Sequence, residues 1–155
     1  MNTNEQLIAR FYTCFQNKDY TGMQACYADD AHFSDPVFSN LNANEVRAMW
    51  EMLLRNGKDL GLTFGHVTAN DTTGSAEWVA TYTFSRTGRK VINSIKAEFE
   101  FENGKIKRHK DHFDFYKWAR QALGVSGLLL GWTPMIKNKI RATAMNNLRQ
   151  FMSKQ

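Results

Sequence analysis

Five polar side chains, Asp35, Tyr82, Asn93, His109 and Asp111, fall where the sequence pattern turns inward, and their types suit proton transfer. His109 and Asp111 lie two residues apart, so on a strand they share one face. A carboxylate beside an imidazole favours the imidazolium, and the pair can share a proton. That arrangement suits general acid–base work on a small apolar substrate. Asp35 shares a face with Phe33 and Val37 and supplies a second carboxylate. Tyr82 and Asn93 would position a substrate through hydrogen bonds. Burying an unpaired carboxylate costs several kcal/mol or shifts its pKa. These residues must therefore be paired, hydrated in a pocket, or used. Structural readings stand beside the functional ones: Asp35-Pro36 is also a turn element, and His109 and Asp111 could form a buried hydrogen-bonded pair. A metal on His109 and Asp111 would need a third ligand, and none can be placed. His32, His66 and His112 have no clear partners.

The elements that must hold these residues follow from periodicity. Residues 4–17 place Leu7, Ile8, Phe11, Tyr12 and Phe15 at helical spacing. Asp19 is a plausible cap for a short helix over 20–28, with Met23, Cys26 and Tyr27 facing in. Residues 31–38 read as a short strand, and 44–56 as a helix stopped by Gly57. From 61 to 117 the period becomes two. Strands are expected over 61–70, 75–86, 90–102 and 105–117, the last two joined by Asn103-Gly104, a strong hairpin signal. In 75–84 the inward set is Ala76, Trp78, Ala80, Tyr82 and Phe84; in 91–101 it is Val91, Asn93, Ile95, Ala97, Phe99 and Phe101. In 105–117 the odd residues His109, Asp111, Phe113 and Phe115 face in. Phe33, Trp50, Trp78 and Phe99 would form the pocket wall. Residues 135–152 form an amphipathic helix with Ile136, Ile140, Ala144, Leu148, Phe151 and Met152 inward. Helices followed by a strand meander predict an α+β fold: a cone-shaped, curved antiparallel sheet wrapped around N-terminal helices, with 118–155 as a helical extension of a single domain.

Composition narrows the class. The 155 residues are 43% hydrophobic and 23% charged, as in a globular chain of one domain. The net charge of +5 is uneven: residues 118–155 hold six cations and no Asp or Glu, leaving the rest near neutral. Six cations over that length are too thin for a nucleic-acid face, do not build one continuous stripe, and read as a solvated outer surface. Cys14 and Cys26 give no disulfide framework. The first twelve residues lack a signal-peptide pattern, and no apolar run reaches a membrane span. A reducing cytoplasm is the expected compartment.

Tyr27-Ala-Asp-Asp-Ala31 followed by Asp35-Pro36-Val37 resembles the segment of bacterial ketosteroid isomerases that carries their catalytic base. The wider group is the nuclear transport factor 2-like superfamily. The turn 103–106 and His109-x-Asp111-x-Phe113 look like its SnoaL-like branch, and the stretch from Arg120 to Pro134 resembles uncharacterised bacterial members of that branch. The resemblance implies that Asp35 falls on the isomerase base. The two oxyanion-hole donors of those isomerases fall near Phe11, which has no hydroxyl, and Ala97; Tyr12, adjacent, should point elsewhere. It also implies an acid–base aspartate on the last strand, at or near Asp111. The Asp–Arg–Asp set of an epoxide hydrolase of this fold finds no arginine on an inward strand face beside Asp111.

The resulting expectation is a small-molecule pocket protein taking a small apolar organic ligand. Its reaction class would be cofactor-independent isomerisation, cyclisation, dehydration or hydrolysis, with Asp35, His109 and Asp111 as acid–base groups. No phosphate loop or metal-ligand cluster argues for a cofactor. The alternative is a non-catalytic ligand-binding or dimerisation module. A homodimer is the expected assembly, with no nucleic-acid partner and no membrane span.

Overall fold

The protein is described by a computed structural model covering residues 2–154. Helix α1 (Thr3–Gln16) starts where the Asn2 side chain accepts from the Glu5 amide, and its apolar stripe buries Leu7, Ile8, Phe11, Tyr12 and Phe15. Helix α2 (Tyr20–Ala25) is capped by Asp19. It is shorter than the sequence predicts: the chain leaves the helix at Cys26, and Tyr27 opens strand β1 (Tyr27–Ser34). A short strand β2 (Leu41–Asn42) precedes helix α3 (Ala43–Asn56). Asn42 and Glu45 satisfy each other's backbone N–H groups in a capping box, which fixes where α3 begins.

Four long strands follow: β3 (Gly61–Ala69), β4 (Thr73–Phe84), β5 (Arg89–Glu102) and β6 (Lys105–His112). Asn103 and Gly104 both take positive φ, 53° and 73°, as a tight hairpin turn between β5 and β6 requires. The curved, unclosed sheet runs β2-β1-β6-β5-β4-β3. Strands β3 to β6 pair antiparallel in chain order, but β1 runs parallel to β6. The sheet is therefore mixed rather than wholly antiparallel. Helices α1 and α3 fill its concave side in one core cluster with Tyr27, Phe33, Trp78 and Phe99. The α+β architecture is the one predicted.

Strand β6 stops at His112, five residues earlier than the pattern suggests, because Asp114 caps a new helix by accepting from the Lys117 amide. Phe113 and Phe115 thus leave the strand face. Phe115 packs in helix α4 (Phe115–Leu123) with Trp118, Ala119 and Val91, a second apolar cluster closing the open end of the sheet. Helices α5 (Val125–Leu130) and α6 (Pro134–Ser153) complete the chain. Along α6, Leu148 is fully buried, while Ile140, Ala144, Phe151 and Met152 are half-buried against the two clusters.

The α4–α5 turn depends on one missing side chain. A methyl group on Gly127 would sit 1.9 Å from the Ala119 carbonyl oxygen, which is backbone and cannot swing away. Gly127→Ala is expected to lower stability by about 1–3 kcal/mol through overpacking. Urea denaturation would read this as a lower midpoint at unchanged slope.

Candidate functional site

Strand register brings the first group of site residues together. Parallel pairing sets Phe33 of β1 beside His109 of β6, and antiparallel pairing sets Phe99 of β5 on its other side. One step along, Asp111 lies beside Ala97, which lies beside Ala76, so small residues flank the carboxylate. Asn93, His109 and Asp111 are the buried polar residues among those described, at 8%, 1% and 3% exposure. Strand alternation had turned all three inward.

A continuous hydrogen-bonded line runs through the core. The Trp50 indole N–H donates to the Tyr27 hydroxyl at 2.9 Å. That hydroxyl meets His109 Nδ1 at 2.8 Å, and His109 Nε2 meets Asp111 Oδ1 at 2.9 Å. One assignment of protons satisfies every donor: Tyr27 donates to Nδ1, and Nε2–H donates to the Asp111 carboxylate. Rings box the imidazole in, with Phe99 at 4.4 Å between centroids, Phe33 at 4.9 Å and Phe11 at 5.6 Å. Trp50 and Trp78 continue the wall, their centroids 6.3 Å apart. Tyr27 has no role in the sequence reading, which places it on a helix. Only the β1–β6 pairing reveals that it reaches His109.

Asp35 lies beyond the end of β1 rather than within a strand. Its Oδ1 accepts from the amides of Val37 and Phe38 at 2.7 and 2.6 Å, and its own amide donates to the Phe38 carbonyl. The turn reading of Asp35-Pro36 is thus realised, yet Oδ2 has no protein partner among the described residues. The residue as a whole is half-buried, while the surrounding chain desolvates its carboxyl. Burial pushes the group up from 3.8 to about 7; the Asp111 charge adds to the rise, and the Phe38 and Val37 amides and Arg141 oppose it. An arginine does reach the Asp35 turn. Arg141 arrives from α6, a helix rather than an inward strand face, and its Nε donates to the Pro36 carbonyl at 2.8 Å.

Tyr82 pairs with Val91 beside the α4 cluster, and Asn93 lies six residues along β5 from Phe99, the neighbour of His109. The Tyr82 hydroxyl accepts from the Trp118 indole at 2.7 Å. Burial raises its pKa, the Trp118 bond opposes that, and the Asp35 charge adds to it. Asn93, paired in the ladder with Ala80, has no side-chain hydrogen bond among the described residues. Two more buried polar atoms lack partners: the Tyr12 hydroxyl and the Trp78 indole nitrogen. Tyr12 is buried with the rest of its apolar stripe. Its ring packs against Phe64, Trp78 and Phe99, and burial raises its pKa well above 10.0, with Asp111 contributing.

Cavities among the described residues open at the surface rather than at these side chains. One, of about 670 Å³, is lined by polar and charged residues such as Thr68, Ser75, Glu98, Arg108 and Lys110, together with Phe99. Another, of about 440 Å³, lies between α4 and the start of α6. Apart from Phe99, none of the sequence-predicted site residues lines either cavity.

An open curved sheet around helices, with polar residues on its inner face, defines the nuclear transport factor 2-like class. Within it, the chain belongs to the SnoaL-like domain family, whose model matches residues 8–109. Asp111 and helices α4 to α6 lie beyond that match. Among solved structures, a nuclear transport factor 2-like protein of unknown function from Burkholderia pseudomallei has a TM-score of 0.69 at 21% identity, covering 78% of this chain and 98% of its own. An LEH-like epoxide hydrolase from M. tuberculosis has a TM-score of 0.64 at 18% identity, covering 83% and 96%. TerC, co-crystallized with polyporic acid, has a TM-score of 0.63 at 16% identity, covering 73% and 92%. At these identities the likeness is one of fold. No curated protein matches the chain.

Proposed function

We propose that the protein is a cofactor-independent acid–base catalyst acting on a small, largely apolar organic substrate, with Asp35 as the proton acceptor. The observation that carries this reading is the Asp35 carboxyl. One oxygen is held by two backbone amides, the other has no protein partner, and its pKa lies at about 7, where a general base works best. Asp35 Oδ2 takes a proton from a carbon acid or from water and later returns it. The electron pair left on a substrate oxygen is stabilised by O–H or N–H donors that the protein does not use internally, of which Tyr82, Asn93 and Tyr12 are the candidates. The line from Trp50 through Tyr27 and His109 fixes Asp111, whose charge adds to the rise that burial gives Asp35. Trp50, Trp78, Phe33 and Phe99 set the apolar character of the inner wall.

Carboxyl-carbon NMR of protein labelled at aspartate tests the central claim. One aspartate is expected to titrate with a midpoint near 7, and its signal should be missing in Asp35→Asn. If every aspartate has finished titrating below about pH 5, close to the ordinary range, Asp35 is not poised as a base and the proposal fails.

A further inference from the structure

Helix α5 and the turn into α6 present an apolar surface that the core does not use. Val125, Leu128, Leu129, Leu130, Trp132 and Met135 are between 42% and 72% exposed. Among the remaining described residues, Ile92 at 56% is the only large apolar side chain exposed to that degree, and Leu53 is at 36%. The exposure is built in. Tyr116 donates to the Leu128 carbonyl at 2.8 Å, Trp132 Nε1 to the Leu129 carbonyl at 3.1 Å, and Thr133 to the Leu130 carbonyl at 2.6 Å. The backbone is therefore held while the side chains face outward.

The C-terminal segment that carries this surface holds charges of one sign. Residues 118–155 hold Arg120, Lys137, Lys139, Arg141, Arg149 and Lys154, and no acid. None of these cations is in an ion pair among the described residues. Arg120 stacks over Tyr116, and Lys137 lies over Phe115. The 440 Å³ groove, lined by Tyr116, Trp132, Lys137, Asn138 and Arg141, lies directly beside the apolar tip. The sequence alone makes these cations a solvated face; the exposed apolar run beside them gives them a partner.

We propose that this tip docks on an anionic phospholipid bilayer. Leu128, Leu129, Leu130, Trp132 and Met135 enter the boundary between headgroups and acyl chains, while Arg120, Lys137 and Lys139 meet lipid phosphates. An apolar wedge with an interfacial tryptophan and basic flanks is the composition such binding needs. A second copy of this chain fits less well, because the same face would bring cations against cations. A nucleic acid would leave the aliphatic side chains without contacts. The contact is at the surface: no helix among the described residues is long and apolar enough to cross a membrane.

Vesicle flotation with the full chain tests this. Wild type is expected to float with vesicles of phosphatidylcholine containing roughly one third phosphatidylserine and to stay in solution with phosphatidylcholine alone. Leu129→Asp, at an exposed position, should abolish flotation with an unchanged circular dichroism spectrum. Lys137→Gln should weaken it about fivefold, and added salt should weaken wild type. Failure of wild type to float with the anionic vesicles overturns the proposal, as does flotation indifferent to Leu129→Asp. Two other results also overturn it. One is a vesicle-free dimer that Leu129→Asp dissociates, which assigns the face to a second copy. The other is tight binding to duplex DNA without any to vesicles, which assigns it to nucleic acid.

Discussion

Asp35→Asn is expected to lower turnover by about 10²–10⁴-fold while leaving the fold intact. The substitution is unusually clean, because the asparagine oxygen still accepts from the Val37 and Phe38 amides that close the turn. Only the free oxygen changes, from a base to an amide nitrogen. Deuterium exchange at the acidic C–H of a panel of small aryl ketones, followed by NMR, reads the rate directly. Exchange catalysed equally by both proteins would remove Asp35 from the chemistry. The pH dependence carries the same signature. Activity of wild type should climb as pH rises through about 7, where the carboxyl loses its proton. Stability should move the opposite way. The folded carboxyl is raised from 3.8 to about 7, so between those values the folded state holds a proton that the unfolded state has released. Stability is fully retained below the lower value, falls across that window, and reaches its reduced level above the upper one. Urea denaturation across this range should show that decline in wild type and lose it in Asp35→Asn.

His109→Ala should be the most destabilising single change at the inner face, at about 3–5 kcal/mol, because it strands a buried carboxylate. Asp111 is 3% exposed and depends on His109 Nε2, and the Tyr27 hydroxyl loses its acceptor in the same step. The five rings around the imidazole would also face a void. Removing Asp111 as well, in a His109→Ala/Asp111→Ala double variant, should cost less than the two single losses added together. Additive losses would mean that the pair does not act as a unit. The readout is the denaturation midpoint, and the variants need no substrate.

Strand alternation made much of this inner face readable, because a period of two assigns a face to every residue once one apolar member is fixed. It turned Asn93, His109 and Asp111 inward without any knowledge of which strands were neighbours. It failed where the backbone left the strand. Asp35 and Phe115 both fall past a strand end, one in a turn made by its own carboxyl and the other in a helix capped by Asp114. The Asp114 cap is a local signal that could have corrected the second boundary. Tyr27 was beyond reach for another reason. Its partner lies across a parallel pairing, and nothing within a strand announces its neighbour.

The parallel contact between β1 and β6 also governs when the site can exist. The Tyr27–His109 bond closes a loop of 82 residues, whereas β5 and β6 meet across a two-residue turn. Long loops carry the larger entropy of closure, so their contacts gain least from being made early. The meander can form from neighbours alone, but the proton line cannot. The proton line is complete only once β1 has docked on β6.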